Sequence, residues 1–132
     1  MTRRELRGKV FQILFGMEFN KDEDIREQAY MFFENSDNSY KDGEKEYIVT
    51  RAADVASHRE DIDKVIEQIS EGWKLNRIGK AELAILRLAV YEIRYDEDIP
   101  VKVAINEAVE LAKLFCDPDA KSFINALLAK LA

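Results

Sequence analysis

The chain has 132 residues, of which 47% are hydrophobic and 35% are charged, and its formal net charge is −6. This length suits one domain or two small subdomains with a shared core, and the acidic balance argues against a nonspecific nucleic-acid binder. The single cysteine, Cys116, excludes an intrachain disulfide and fits a reducing cytosol. No apolar run approaches the ~20 residues that cross a membrane, so we expect a cytoplasmic protein without a membrane partner.

The first part of the chain carries the patterns of three helices. Residues 3–19 have an amphipathic stripe, formed by Leu6, Val10, Ile13, Leu14 and Met17. Asp22 or Asp24 can cap a second helix, and the polar stretch 36–43 reads as an exposed loop. The helical pattern of 44–70 is long for a small domain. The spacing of Ser57 and Glu60 fits a capping box, which predicts a break at Ser57.

The second part of the chain predicts four helices, the first of which runs from Ser57 to about residue 70. Glycines and Asn76 then mark a connection around Trp73, and residues 81–95 are apolar on nearly every side, which is typical of a buried central helix. Residues 101–115 form the next helix. Asp117 and Pro118 resemble a cap followed by a first-turn proline, which predicts the start of the last helix.

The pattern as a whole predicts an all-α protein with about seven helices and no strand. We expect a single domain over residues 1–132, with subdomains of about 1–56 and 57–132.

No residue pattern in the sequence indicates catalysis, a metal or a cofactor. Asp54 and His58 are at i, i+4 spacing, but two such ligands do not make a zinc site, which needs three or four. Asn20, Asp22 and Asp24 resemble the start of a calcium loop, but the required glycine and glutamate positions are Ile25 and Met31. Cys116 has no histidine nearby in sequence, and phosphate-binding and nucleophile motifs are absent. We therefore expect a protein that is not an enzyme.

The amino-terminal end is basic, in contrast to the rest of the chain. Residues 1–9 hold four bases and one acid. At about 100° per residue, Arg4, Arg7, Phe11 and Phe15 share one flank of the first helix beside its core stripe. Guanidinium groups that bind phosphates and rings that stack on bases would suit single-stranded RNA. Alternatively, the phenylalanines widen the core and the arginines are only solvated.

Longer motifs resemble the NusB family of bacterial transcription antitermination factors. They are ILRLAVYEI at 85–93, Pro100, VAINEAVELAKLF at 103–115 and SFINALL at 122–128, preceded by RRELRGKVFQILF at 3–15. The resemblance implies two small helical bundles and a non-catalytic factor. Such a factor binds boxA RNA of ribosomal RNA operons with a small-subunit ribosomal protein, also called NusE. The pair joins the RNA polymerase elongation complex.

The resemblance also implies an RNA site on the first helix. Arg3, Arg4 and Arg7 match its basic positions, Gln12 matches directly, and Phe15 replaces a frequent tyrosine. Glu5 and Gly8 thin the basic cluster. Three or four phosphate contacts predict a slope of about −2 to −3 when log affinity is plotted against log salt.

Several further residues match family positions outside the first helix. Glu82 matches an acidic position near the RNA face, and Asp119 matches one associated with NusE, although the helix dipole alone would also favour both acids. We expect Arg87 to close a buried ion pair or a hydrogen-bond network instead of reaching RNA. Asn106, Glu107 and Asn125 are interpreted first as structural hydrogen-bonding residues.

An alternative function remains open at this point. The chain could be a helical protein-interaction module, or a homodimer that covers its basic face, without RNA selectivity of its own.

Overall fold

The computed structural model describes residues 1–20, 24–36 and 39–132, which form two compact units, Met1–Ser57 and His58–Ala132. Across these described ranges the chain has seven α-helices, one short 3-10 helix and no strand, which confirms the all-α prediction. None of the helices described is long and apolar enough to cross a membrane.

The first unit consists of three helices packed against one another: α1 (Arg3–Met17), α2 (Ile25–Glu34) and α3 (Glu44–Ser57). The predicted stripe of α1 is largely buried, with Val10, Ile13 and Leu14 in the core. A carboxylate oxygen of Asp24 accepts a 2.9 Å hydrogen bond from the Arg26 amide and caps α2. The other candidate cap, Asp22, lies outside the described residues.

The second unit contains α4 (Arg59–Ile69), the 3-10 helix (Leu75–Arg77), α5 (Lys80–Tyr95), α6 (Val101–Phe115) and α7 (Ala120–Ala129). α5 packs against α4, α6 and α7, and every residue from 83 to 92 is buried. The prediction of a central helix is therefore confirmed. The reason is that a helix with apolar side chains on nearly all sides must be surrounded to remove them from water.

A buried ion pair joins α4 to α5, as the sequence predicted for Arg87. The Arg87 guanidinium donates two hydrogen bonds to the Asp63 carboxylate, at 2.8 and 3.1 Å. Arg59, one turn before Asp63, lies 3.7 Å from the same carboxylate. This two-pronged geometry satisfies both charges, which makes the buried arginine tolerable within the core.

Two predicted helix caps are wrong. The break near Ser57 is present, but α4 begins after His58, and the Ser57 hydroxyl donates back to the Asp54 carbonyl at 2.7 Å. The serine therefore closes the last turn of α3 instead of capping α4. At the other end, Asp117 and Pro118 form a turn in which the Asp117 carbonyl accepts from the Ala120 amide at 3.0 Å, and α7 starts two residues later than predicted.

Candidate nucleic-acid interface

The start of α1 is fixed by a complete capping box. The Thr2 hydroxyl accepts from the Glu5 amide at 3.1 Å, and the Glu5 carboxylate accepts from the Thr2 amide at 3.2 Å. Hydrogen bonding of the Glu5 carboxylate to the Thr2 backbone, followed by that to the Thr2 side chain, lowers the pKa of Glu5 below its usual value. Glu5 is thus held at the cap, and Arg3 and Arg4 are presented in solvent on the first turn of a well-formed helix.

The chain terminus is held at the same end of the unit. The amino-terminal ammonium donates to the Glu44 carboxylate at the start of α3. This bond is the main reason that the pKa of Glu44 is lowered. The first turn of α1 is therefore positioned from both sides, by its own cap and by the terminus.

One flank of α1 is open to solvent, and we name it the α1 flank: Arg4, Gly8, Gln12 and Phe15. Spacings of 4, 8 and 11 residues from Arg4 place these residues along one side of the helix. Gly8 is half-buried, but a Cβ atom built there meets no heavy atom within 4 Å, so there is room for a side chain on this side of the helix. Arg4 is exposed, while Gln12 and Phe15 are half-buried. Arg7 is also half-buried and lies nearer the core.

Phe11 does not belong to the α1 flank, contrary to the expectation from the helical wheel. It is 1% exposed and forms part of the core. Phe15 stacks on it with a centroid distance of 5.8 Å, and the ring of Phe19 meets Phe15 edge-on at 5.1 Å. Phe19 is 59% exposed and was missed by sequence reasoning, although its four-residue spacing from Phe15 was a usable signal. The buried ring of Phe11 therefore supports the half-buried ring of Phe15, which in turn contacts the exposed ring of Phe19.

Lys9 is directed away from the α1 flank. Its ammonium lies 5.8 Å from the centre of the Phe32 ring on α2, a cation–π distance. The basic side chains of residues 1–9 are therefore divided, and the arginines supply the charge near the open side.

Glu82 lies in the second unit, in the first turn of α5. It is half-buried, and its carboxylate folds back over Gly79, where a Cβ atom would collide with it. It accepts a hydrogen bond from the Cys116 thiol. Burial, followed by this bond, raises the pKa of Cys116 to about 12. A thiol that stays protonated at neutral pH is a poor nucleophile, which agrees with the expectation that Cys116 is not catalytic.

Glu82 and Asp119 line one shallow cleft of about 300 Å³, which we name the acidic cleft. Asp117 adds a third carboxylate, and the rings of Trp73 and Phe123 complete much of the wall. Sequence motifs predict Glu82 and Asp119 as separate sites and do not single out Trp73, Arg77 or Phe123. The signal available in the sequence was that Trp73, the only tryptophan of the chain, lies in a connection between two helices.

The remaining candidate residues are exposed or half-buried. The His58 ring packs against Tyr91 and Tyr95, with centroid distances of 5.8 and 4.1 Å. No group of residues suited to hold a metal ion occurs in the described part of the chain. Asn106 and Asn125, expected as structural hydrogen-bonding residues, are exposed, and Glu107 is half-buried.

Comparisons with known proteins give consistent matches over the whole chain. The family model described as NusB family matches residues 4–132. The chain is 44% identical over 131 residues to the transcription antitermination protein NusB of Lachnoclostridium phytofermentans, which covers 99% of this chain and 98% of the relative. The structure of T. maritima NusB aligns with a TM-score of 0.89 at 34% identity, covering 100% of this chain and 91% of that one.

A solved complex is also similar. Its description is antitermination factors NusB and NusE in complex with dsRNA, and one of its chains aligns with a TM-score of 0.84 at 26% identity. The alignment covers 99% of this chain and 97% of that chain.

Proposed function

The chain belongs to the NusB family, and on this premise we propose that it is a non-catalytic transcription antitermination factor that binds boxA RNA together with NusE. It needs no metal or cofactor in this role. Its place of action is the RNA polymerase elongation complex in the bacterial cytoplasm.

The α1 flank is the observation that carries the RNA-binding part of the proposal. An exposed arginine, a stretch of helix left bare at Gly8, an amide and a supported aromatic ring follow one another along it. Arginine binds phosphate, the Gln12 amide can both donate to and accept from a base, and the Phe15 ring can stack. Arg3 and Arg7 add charge at the same end of the helix. This combination suits unpaired RNA better than a regular duplex.

In this proposal the protein contact lies at the Asp119 rim of the acidic cleft. A similar solved structure is described as NusB and NusE in complex with RNA, so both kinds of partner have been found on a NusB fold. Asp119 is exposed at the rim of the cleft, and we assign it to NusE. Glu82 is half-buried deeper in the first turn of α5, and we assign it to base recognition, because a carboxylate accepts from amino groups and repels phosphates.

Fluorescence anisotropy with labelled boxA RNA and a scrambled control tests the proposal. This protein, NusE and the mixture are titrated separately. We expect the pair to bind boxA more tightly and more selectively than either component. A complex with NusE by size exclusion but no selective RNA binding would contradict the RNA role and leave a protein-interaction module. A homodimer that excludes RNA would appear as a larger species that RNA does not dissociate.

The Arg4→Glu, Arg7→Glu double variant tests the site. Loss of two phosphate contacts to single-stranded RNA lowers the salt slope by about 1.4, which is about 25-fold in affinity at 0.1 M salt. Added repulsion makes the loss larger, so binding should fall below detection. Acids in the first turns of α1 suit the helix dipole, so folding and NusE binding should persist.

A matched control reverses two other exposed bases of the same unit, Arg26 and Lys41. This Arg26→Glu, Lys41→Glu variant changes net charge equally and should retain most of the RNA affinity. Equal losses in the two double variants would show that only net charge matters, and the α1 flank would then not be the site.

A further inference from the structure

The connection between α4 and α5 forms a basic patch with an exposed tryptophan. Residues 72–80 contain Lys74, Arg77 and Lys80 and no acid, although the chain as a whole is acidic. All three bases are exposed, and Trp73 is 54% exposed. We name this segment the basic connection.

The backbone of Trp73 is held in place, although its indole is exposed. The buried Ser70 hydroxyl donates to the Trp73 carbonyl at 3.0 Å, and the Trp73 amide donates to the Ser70 carbonyl at 3.2 Å. The ring meets Phe123 of α7 edge-on, with 6.1 Å between centroids. Ile78, the residue directly after the 3-10 helix, is buried and anchors the chain again. An exposed ring on a fixed backbone is suited to stack on a ligand, because less of the chain must be ordered on binding.

Trp73 lines two shallow hollows. One is the acidic cleft, and the other is a hollow of about 570 Å³ lined by Trp73, Lys74, Asn76 and the neighbouring Glu67, Gly72 and Leu75. A planar group stacked on Trp73 would therefore have Lys74, Arg77 and Glu82 among its neighbours.

We propose that the basic connection is a second contact for single-stranded RNA, in which an unpaired base stacks on Trp73 while Lys74, Arg77 and Lys80 bind phosphates. Sites that bind single-stranded nucleic acid usually combine aromatic side chains with basic ones. Protein interfaces favour tryptophan and arginine but are depleted of lysine, so it is the two lysines, Lys74 and Lys80, that make RNA the better occupant of this patch. The inference rests on the proposed function, and it extends RNA contact to the second unit.

The proposal predicts a steeper salt dependence than α1 alone provides. Three further phosphate contacts to single-stranded RNA make the slope of log affinity against log salt steeper by about 2. The isolated protein should therefore show a slope of about −4 to −5 instead of about −2 to −3. Neutralising all three bases should return the slope to the lower range.

Tryptophan fluorescence tests the stacking directly, because Trp73 is the only tryptophan in the chain. A boxA oligoribonucleotide is titrated into the isolated full-length protein at low salt, with the scrambled oligoribonucleotide as a comparison. We expect boxA to quench the emission along the same curve that anisotropy reports for binding. Binding seen by anisotropy with unchanged emission would overturn the stacking.

Variants then separate stacking from charge. Trp73→Ala should weaken boxA binding about 5- to 150-fold, the range for one stacked base, and Trp73→Phe should recover much of the loss. Tyr30→Ala, which removes a ring of 59% exposure from α2, should bind as the wild type does. The Lys74→Gln, Arg77→Gln, Lys80→Gln variant is compared with Arg94→Gln, Lys102→Gln, which removes exposed bases elsewhere in the second unit.

The outcomes distinguish this inference from the proposed function. If the wild type with NusE selects boxA but the variants of Trp73 and of the three bases bind RNA normally, the basic connection is not an RNA contact and the function stands. If these variants lose NusE and keep RNA, the patch is a protein contact and the inference is wrong. If the wild-type pair does not select boxA at all, the proposed function fails first.

Discussion

Replacing Gly8 with arginine tests the proposed interface and the helix that carries it. Gly8 lies in the middle of α1, and an added Cβ atom meets nothing within 4 Å. The Cβ atom of the new side chain therefore enters without a clash, on the same flank as Arg4 and Gln12. The substitution adds a basic side chain at a position where glycine interrupts the basic cluster of Arg3, Arg4 and Arg7.

The effect on folding follows from helix propensity. Inside a helix, glycine costs about 1 kcal/mol relative to alanine, and arginine costs only about 0.2 kcal/mol. Repulsion from Arg4, one turn away, and attraction to Glu5, three residues away, are each about 0.3 kcal/mol and largely cancel. We expect the free energy of unfolding to rise by about 0.8 kcal/mol, and the Tm by about 3 °C for a chain of this size.

The effect on RNA binding follows from counterion release. One more phosphate contact adds about 0.7 to the salt slope, which corresponds to about fivefold tighter boxA binding at 0.1 M salt. Anisotropy over about 0.05 to 0.4 M salt measures the affinity and the slope together. Gly8→Ala is the control, because it gains the helix propensity without the charge.

Two results would refute the reasoning. If Gly8→Arg is stabilised as Gly8→Ala is but keeps the wild-type affinity and slope, RNA does not pass along the α1 flank. If Gly8→Ala is itself stabilised but loses affinity, the RNA backbone approaches the helix too closely for a Cβ atom, and glycine is required at this position.

The remaining predictions concern the second unit. Asp119→Lys should weaken NusE binding more than it weakens RNA binding by the isolated protein, whereas Glu97→Lys, at an exposed position outside the acidic cleft, should change neither; equal losses for NusE and RNA would contradict the assignment. Arg87→Met should lower the free energy of unfolding by about 3 kcal/mol in urea, because it strands Asp63 with only Arg59 nearby, and a loss under about 1 kcal/mol would show that the pair is dispensable. Cys116 should react with iodoacetamide at pH 8 more than about 100-fold slower than a free cysteine does, because burial raises its pKa to about 12. Because the pKa of Cys116 is raised in the folded state, the protonated thiol contributes fully to stability below the ordinary cysteine pKa of 9.0. That contribution is lost as the pH rises from 9.0 toward 12, so the difference in free energy of unfolding between wild type and Cys116→Ala should shrink over this range.

Helix content and order were predictable because they depend on local periodicity. The stripe of α1, the all-round apolar pattern of α5 and the bounds of α6 can each be read within a short window. The caps near Ser57 and Asp117 were not predicted correctly. A short polar side chain there has a choice between the amide ahead and the carbonyl behind, and the geometry of the neighbouring helix end decides between them.

The division of the aromatic residues on α1 also depended on packing. Phe11 and Phe15 lie close together on a helical wheel, and periodicity alone placed both on the open flank. The surrounding helices bury Phe11 completely and leave Phe15 half-exposed, so only one of the two rings is accessible to a base. Phe11 and Phe15 differ by only about 40° around the helix axis, which is less than the width of the helix face that a neighbouring helix covers. The helical wheel therefore cannot show which of the two rings is buried.

Periodicity, motifs and composition were enough to predict the all-α class, the family, the basic first helix and a buried polar partner for Arg87. Which groups meet at the surface of the second unit depends instead on tertiary packing. Trp73 lies in the connection before α5, Glu82 in its first turn, and Asp119 and Phe123 at α7, and they share one cleft because α5 and α7 pack together. Such contacts join residues far apart in the chain, so no local pattern of residues contains them.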